Sequence, residues 1–214
     1  MKNSIAIISI SVFLCVSLLS TKAQDINSMR IGIKAGANLS NMSTKDASNN
    51  DMITGFNLGL FGKLPITNFI AIQPELYLTT KGAAVSYNNI LMDGTARFNL
   101  TYLEIPVLCV INITDNFNVH AGPYVAYMLN GKVKNQSNIT LFDFEENIDA
   151  NDYNRIDAGI AIGAGIDIGA ISVGARYNFG LTKVGKEQTI LGVTYTIPNA
   201  TNSVLNLYVS LSLN

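Results

Sequence analysis

The chain has 214 residues, with 14 basic against 15 acidic, and is 48% hydrophobic but only 14% charged. That length suits one domain rather than two, and so even a charge balance offers no basic field for nucleic acid. Few charges among many apolar residues would be odd for a water-soluble domain of alternating strands, and is natural where one face of each strand meets lipid.

The first element is an address. Lys2 supplies a positive start, Ile5 to Leu19 an apolar run and Thr21-Lys22-Ala23 a small-residue end. This pattern predicts a secretory signal over residues 1–23, removed after Ala23, and a single domain over 24–214. The apolar run falls short of the ~20 residues a spanning helix needs, so an uncleaved anchor is the weaker reading. Cys15 follows Leu14, which is unlike a lipoprotein cleavage site. Without the segment that carries Lys2, Lys22 and Cys15, 12 basic residues face 15 acidic ones, and Cys109 is the only cysteine. An internal disulfide is therefore excluded even though export would permit one.

Two-residue alternation then predicts strands at 30–39, 54–64, 69–81, 96–112, 117–131, 156–168, 171–181 and 203–213, each long enough for the ~9–11 residues with which a tilted strand crosses a bilayer. The connections at 65–68, 113–116 and 169–170 are tight. Those at 40–53, 82–95, 132–155 and 182–202 are long and rich in Asn, Ser, Thr and Asp. Short periplasmic turns alternating with long outer loops mark outer-membrane barrels. The expected fold is all-β: an eight-stranded antiparallel up-and-down transmembrane β-barrel in the outer membrane, with the lipid bilayer as partner and both termini in the periplasm.

The faces can be assigned strand by strand. In the first strand Ile31, Ile33, Ala35, Ala37 and Leu39 are expected to face lipid, with Arg30, Gly32, Lys34, Gly36 and Asn38 inside. The second and third set Phe56, Leu58, Leu60, Ile72, Leu76 and Leu78 outside, against Asn57, Phe61, Gln73, Glu75, Tyr77 and Lys81 inside. The fourth breaks the pattern, because Phe98, Leu100 and Tyr102 share the parity of Glu104; a bulge, or an upper segment standing clear of the membrane, would account for this. Pro74 and Pro106 each remove a ladder hydrogen bond and leave local register open. In the sixth strand Gly159, Gly163 and Gly165 share the inner face, where small residues make room for large ones. The seventh and eighth place Tyr177, Phe179, Leu207 and Val209 outside, with Arg176, Asn178, Tyr208 and Ser210 inside.

An eight-stranded barrel is about wide enough for side chains to fill, so no open channel is expected. Its inward charges, Glu75, Glu104, Arg176, Lys34 and Lys81, are expected to form one paired network that plugs the lumen, because lone carboxylates there would be costly and an arginine fork can satisfy them. On this reading deleting Arg176 would destabilise the barrel more than neutralising Glu75. The functional alternative for these charges is a proton- or ion-handling site.

Tyr102-Leu103-Glu104-Ile105-Pro106-Val107, Ala121-Gly122-Pro123-Tyr124 and Gly174-Ala175-Arg176-Tyr177-Asn178-Phe179-Gly180-Leu181 resemble the porin-family, PorT-like outer-membrane barrels of Bacteroidota. Gly32 to Asn38 and Gln73-Pro74-Glu75-Leu76 are similar to the same family. The resemblance covers nearly all of the mature chain. It implies an eight-stranded barrel related in shape to small OmpA/OmpX-type proteins and, for most members, no defined activity. The chain departs from barrels of this sort in ending Leu213-Asn214 rather than on an aromatic residue.

The search for chemistry turns up little. His120, on the inner face of the fifth strand, would be the base of an outer-membrane hydrolase, but no spacing nominates a nucleophile or an orienting acid, and a hydrogen-bonded packing role is the simpler reading. Asp143, Glu145, Glu146, Asp149 and Asp152 crowd the third long loop, yet fit no calcium-loop pattern and read as a solvated acidic loop. No catalytic residue, cofactor or metal site is expected. Two functions remain: a structural or adhesive barrel whose loops contact an extracellular or periplasmic protein, including as a secretion accessory, and a small-solute pore. An outer-membrane enzyme ranks third.

Overall fold

The structure, a computed structural model, describes residues 29–44, 50–89, 92–137, 144–147, 153–185, 187–190, 193–196 and 200–213. The expected signal at 1–23 lies outside them. Eight long strands form the barrel: β1 Arg30–Thr44, β2 Ile53–Pro65, β3 Ile70–Asn89, β4 Met92–Asn112, β5 Phe117–Ser137, β6 Ile156–Ile168, β7 Ile171–Lys183 and β8 Ala200–Ser212. Each pairs antiparallel with its neighbours in the chain. Pairing of β1 with β8, from Gly32 opposite Ser212 to Thr44 opposite Ala200, closes the sheet. No helix occurs among the described residues.

The alternation read from the sequence is the alternation of faces. Ile33 is 42% exposed while Lys34 beside it is 3% exposed, and Leu207 at 51% adjoins Tyr208 at 6%. Since β side chains point alternately to opposite sides, one parity of each strand makes an apolar exterior and the other fills the lumen. Cys109 falls on the exterior as a free thiol.

At the short-turn end a local motif recurs. In Ile66-Thr67-Asn68-Phe69 the Thr67 hydroxyl accepts from the Phe69 and Ile70 amides at 3.2 and 3.0 Å, and in Ile113 to Phe117 the Thr114 hydroxyl accepts from Asn116 and Phe117 at 3.4 and 3.0 Å. Both threonines cap their turns by replacing backbone partners. The third turn is two residues long, and Gly169 occupies its first position at φ 62°, where a side chain would be strained.

Several expected boundaries move. The long loop placed at 82–95 is a continuation of β3 and β4, paired as far as Asn89 opposite Met92. β5 runs on to Ser137 and pairs with a short strand, Phe144–Asn147. A hairpin of Glu187–Ile190 and Val193–Thr196 occupies part of 182–202. No sustained apolar row runs through 82–95 in the sequence, so its pairing carried no signal there. In β4 the inward parity runs unbroken through Leu100, Tyr102 and Glu104, all buried. The irregularity is in β5: Thr101 opposes Asn130 and Tyr102 opposes Met128, so Leu129 is the extra residue of a bulge. Neither Pro74, opposite Val107, nor Pro106, opposite Tyr124, shifts the register.

Candidate functional site

The inner faces of all eight strands converge on the lumen, which is built in tiers. In the tier nearer the short turns Glu75, from β3, is the hub. Arg176, from β7, grips it with Nη1 at 2.6 Å from Oε2 and Nη2 at 3.0 Å from Oε1. Lys34 Nζ donates at 2.7 Å, Gln73 Nε2 at 2.6 Å and the Tyr77 hydroxyl at 2.6 Å. Lys34 also lies 4.1 Å from the centre of the Tyr208 ring, where the π face favours a cation. So many donors offset the cost of taking this carboxylate out of water.

The tier nearer the long loops inverts the arrangement. Here Lys81 is the hub, 2.6 Å from Glu104 Oε2 and 2.8 Å from Asp157 Oδ2, with the Tyr124 ring centre 4.5 Å away. Glu104 accepts from Asn178 Nδ2 at 2.8 Å and Asp157 from Thr182 Oγ1 at 3.2 Å. The first tier holds two cations and one carboxylate, the second two carboxylates and one cation. Each leaves one charge uncompensated, of opposite sign, so the tiers complete one another along the barrel axis. Asn178, two residues from Arg176 on β7, belongs to the second tier through its bond to Glu104. Between the tiers Asn38 Oδ1 accepts from Asn57 at 2.9 Å and Asn206 at 2.7 Å, while its Nδ2 donates to Thr79 Oγ1 at 2.9 Å.

The five charges expected in one network are thus all buried in the lumen but are divided between two clusters. Arg176 reaches Glu75 and not Glu104, because the acids occupy different levels: Glu104 is opposite Tyr77, one inward position above Glu75. This geometry argues for the opposite ranking of substitutions. Without Arg176, Glu75 keeps Lys34; without the Glu75 charge, two buried cations face each other. Asp157 was missed although it shares the inward parity of Gly159 on β6, a signal sufficient to find it.

His120 lies in the first tier. Arg176 Nε stands 3.4 Å from its Nε2 and Asn118 Oδ1 is 3.3 Å from its Nδ1, so the bonds assign the proton to Nδ1 and occupy both nitrogens. The ring fits against Gly163: a Cβ there would lie 2.5 Å from His120 Nε2. Gly159 makes the same room for Tyr124, and Gly165 for Tyr208. Of the acidic loop, Asp143, Asp149 and Asp152 lie outside the described residues, while Glu145 and Glu146 sit at register positions opposite Lys134 and Val133. Among the described residues no cluster has the makings of a metal site.

Above the second tier the lumen is mostly apolar, with the buried Asn202 opposite Met42 as its polar member. Met42, Leu100, Tyr102, Met128 and Val184 are buried together there, and Tyr153 packs against them. At the opposite end a vestibule of about 530 Å³ opens between Arg30, Lys63, Asn112 and Asp167. Lys63 Nζ lies 3.4 Å from Asp167 Oδ2 at its floor.

Residues 22–185 match the family described as outer membrane protein beta-barrel domain. No curated protein matches the chain. In fold it is similar to Ail, the attachment invasion locus protein of Yersinia pestis, solved in complex with the heparin analogue sucrose octasulfate, at 16% identity and a TM-score of 0.48 over 87% of this chain and 99% of that one. It is also similar to Neisserial surface protein A, with 14% identity and a TM-score of 0.46 over 87% and 100% of the two chains. For OprG from Pseudomonas aeruginosa the figures are 13%, 0.37, 86% and 91%. Likenesses this distant carry no argument about ligand or activity.

Proposed function

The chain belongs to the outer membrane protein beta-barrel domain family, and on that premise we propose that it is a closed, non-conducting barrel that acts through its long-loop end, in adhesion or in binding a partner protein. The observation that carries this reading is the filled lumen: two complementary ion clusters topped by a packed apolar collar leave the barrel wall a scaffold, and put recognition on what rises above it. Above Leu78, Leu103 and Leu129 the outward positions turn polar, at Thr80, Asn99, Arg97, Lys132 and Lys134. There β3, β4 and β5 continue as a sheet, flanked by Asn50–Asp51 on one side and Phe144–Asn147 on the other. Such a raised sheet offers a surface and strand edges to another protein.

The proposal includes a secretory signal removed after Ala23, both mature termini in the periplasm, no catalytic role for His120, and the secretion-accessory role suggested by the PorT-like resemblance. A planar-bilayer recording of refolded protein tests the central claim, and a flat trace is expected. Stepwise conductance would favour the alternative, a small-solute pore, for which the vestibule is the one supporting feature. A pull-down from detergent extract, with the raised sheet shortened at 84–97 as control, tests partner binding.

A further inference from the structure

On the outer surface of β1, β8 and β7 a groove of about 250 Å³ lies between Leu39, Asn41, Met52, Tyr177, Ser203 and Leu205. Strand register orders it in two rows. Leu39, Leu205 and Tyr177 are neighbours in one row, and Asn41, Ser203 and Phe179 in the next row towards the long loops. The first row continues the apolar exterior below it, where Ala37, Leu207 and Ala175 are the outward residues. The second is the level at which that exterior turns polar. Tyr177 walls one side, its ring backed by that of Phe179, the centres 4.4 Å apart at 55°. Met52, 68% exposed, stands at the other.

Between β2 and β3, by contrast, branched chains confront each other directly, as in Leu58 opposite Leu78 and Leu60 opposite Leu76. Here a serine lies between asparagine and phenylalanine, and the missing bulk makes the hollow. A register shift between Thr201 and Ser203 falls at its upper rim; such bulges re-aim the side chains beside them.

We propose that this groove seats one acyl chain of a membrane lipid, with the ester or amide at the head of that chain beside Asn41 and Ser203. Continuity with the lipid-facing exterior identifies the occupant. The foot of the groove lies within the apolar surface that the bilayer covers, so the hydrophobic effect favours filling it with hydrocarbon rather than leaving it to water. The rim carries an amide and a hydroxyl without charge, which matches a carbonyl or hydroxyl at the top of a chain better than a phosphate. The volume lies below the ~300–1,000 Å³ of sites that enclose a whole ligand, and so suits a chain segment whose remainder stays in the bilayer. Tyr177, with Phe179 packed behind it, gives the chain a large apolar ring to lie against.

The test is native mass spectrometry of the refolded barrel carrying dipalmitoyl phosphatidylethanolamine, with detergent raised until loosely held lipid is stripped. The expected result is one retained lipid per barrel. Ser203→Phe, which fills the hollow, and Tyr177→Ala, which removes its wall, should each lower occupancy roughly tenfold, the consequence of taking about two methylenes out of contact. Ala121→Phe, on the exterior between Cys109 and Ile162, should leave occupancy unchanged. Heat-modifiable migration on gels establishes that each variant is folded. No retained lipid on the folded protein, undiminished occupancy in folded Ser203→Phe and Tyr177→Ala, or equal loss in Ala121→Phe would overturn the proposal.

Discussion

Arg176 and Glu75 meet as a two-pronged pair across the lumen, at 2.6 and 3.0 Å, with both side chains almost wholly buried. Lys34 occupies the same carboxylate from a third direction, 2.7 Å away. That crowding makes the acid, not the arginine, the member the cluster can least lose. Glu75→Gln leaves two buried cations uncompensated and should cost ~3–5 kcal/mol, the range for breaking a buried pair. Arg176→Met keeps the volume and leaves a Lys34–Glu75 pair, so it should cost less. Urea titrations of the refolded barrel in one lipid rank the two, and the opposite order would show that Lys34 does not engage Glu75.

Lys81 is a second test of the tiered arrangement. Lys81→Met leaves Glu104 and Asp157 facing each other in the lumen and should destabilise strongly. Adding Glu104→Gln should recover part of the loss, since one carboxylate with Tyr124 and Thr182 as donors repels nothing. A double-mutant cycle measures the coupling, and strict additivity would contradict the geometry.

The exterior rows predict a depth rule. Leu207→Arg, if near mid-membrane, should cost ~2–4 kcal/mol, and less if nearer the interface. Ser210→Arg should disregard that rule, because Ser210 lines a small cavity of about 20 Å³ beside Lys34 and Arg30 and any cost there comes from crowding cations. Equal dependence on bilayer thickness at both positions would mean that the faces are misassigned.

The collar, more than the charges, should prevent leakage, since an apolar constriction excludes ions by keeping water out. In planar bilayers Arg176→Met should remain silent. The triple variant Leu100→Ala, Met128→Ala, Val184→Ala should show transient openings. Silence from the folded triple variant would place the seal in the ion clusters instead.

Gly163→Ala tests the lumen's packing. The added methyl would lie 2.5 Å from both the Ala175 carbonyl oxygen and His120 Nε2, and 3.0 Å from Arg176 Cα. Overpacking of this kind costs ~1–3 kcal/mol. Combining it with His120→Ala should restore part of that in the same denaturation assay; no restoration would mean that the backbone at Ala175 and Arg176, and not the ring, is the obstacle.

The strand faces were legible in the sequence because lipid outside and charge inside impose opposite demands on alternate residues. Ile31 to Leu39 and Leu205 to Leu213 show this plainly. The raised parts of β3 to β5 were not legible. Over 82–99 the sequence shows no sustained apolar row, so β-forming residues such as Val85, Tyr87 and Phe98 carry no period. The lumen residues were found by parity, and the pairing of Arg176 with Glu75 was expected. The division into two clusters was not, because whether Arg176 also meets Glu104 depends on the heights of β7, β3 and β4 around the barrel, which no single strand records. A bulge is one of the two accounts that the fourth strand allows, but its place at Leu129 of β5 was not legible, because it is a mismatch between two strands.

The union of β1 with β8 has a bearing on how the molecule assembles. Leu39 and Leu205, or Lys34 and Ser210, lie at opposite ends of the polypeptide, so their contact closes the longest loop available and comes at the greatest entropic cost. Assembly dominated by such distant contacts is slow, and until the last strand docks both margins of the sheet stay open to pairing with another chain. The same seam frames the outer groove at Leu39, Asn41, Ser203 and Leu205. The step that ends the exposure of those margins is therefore also the step that creates the groove.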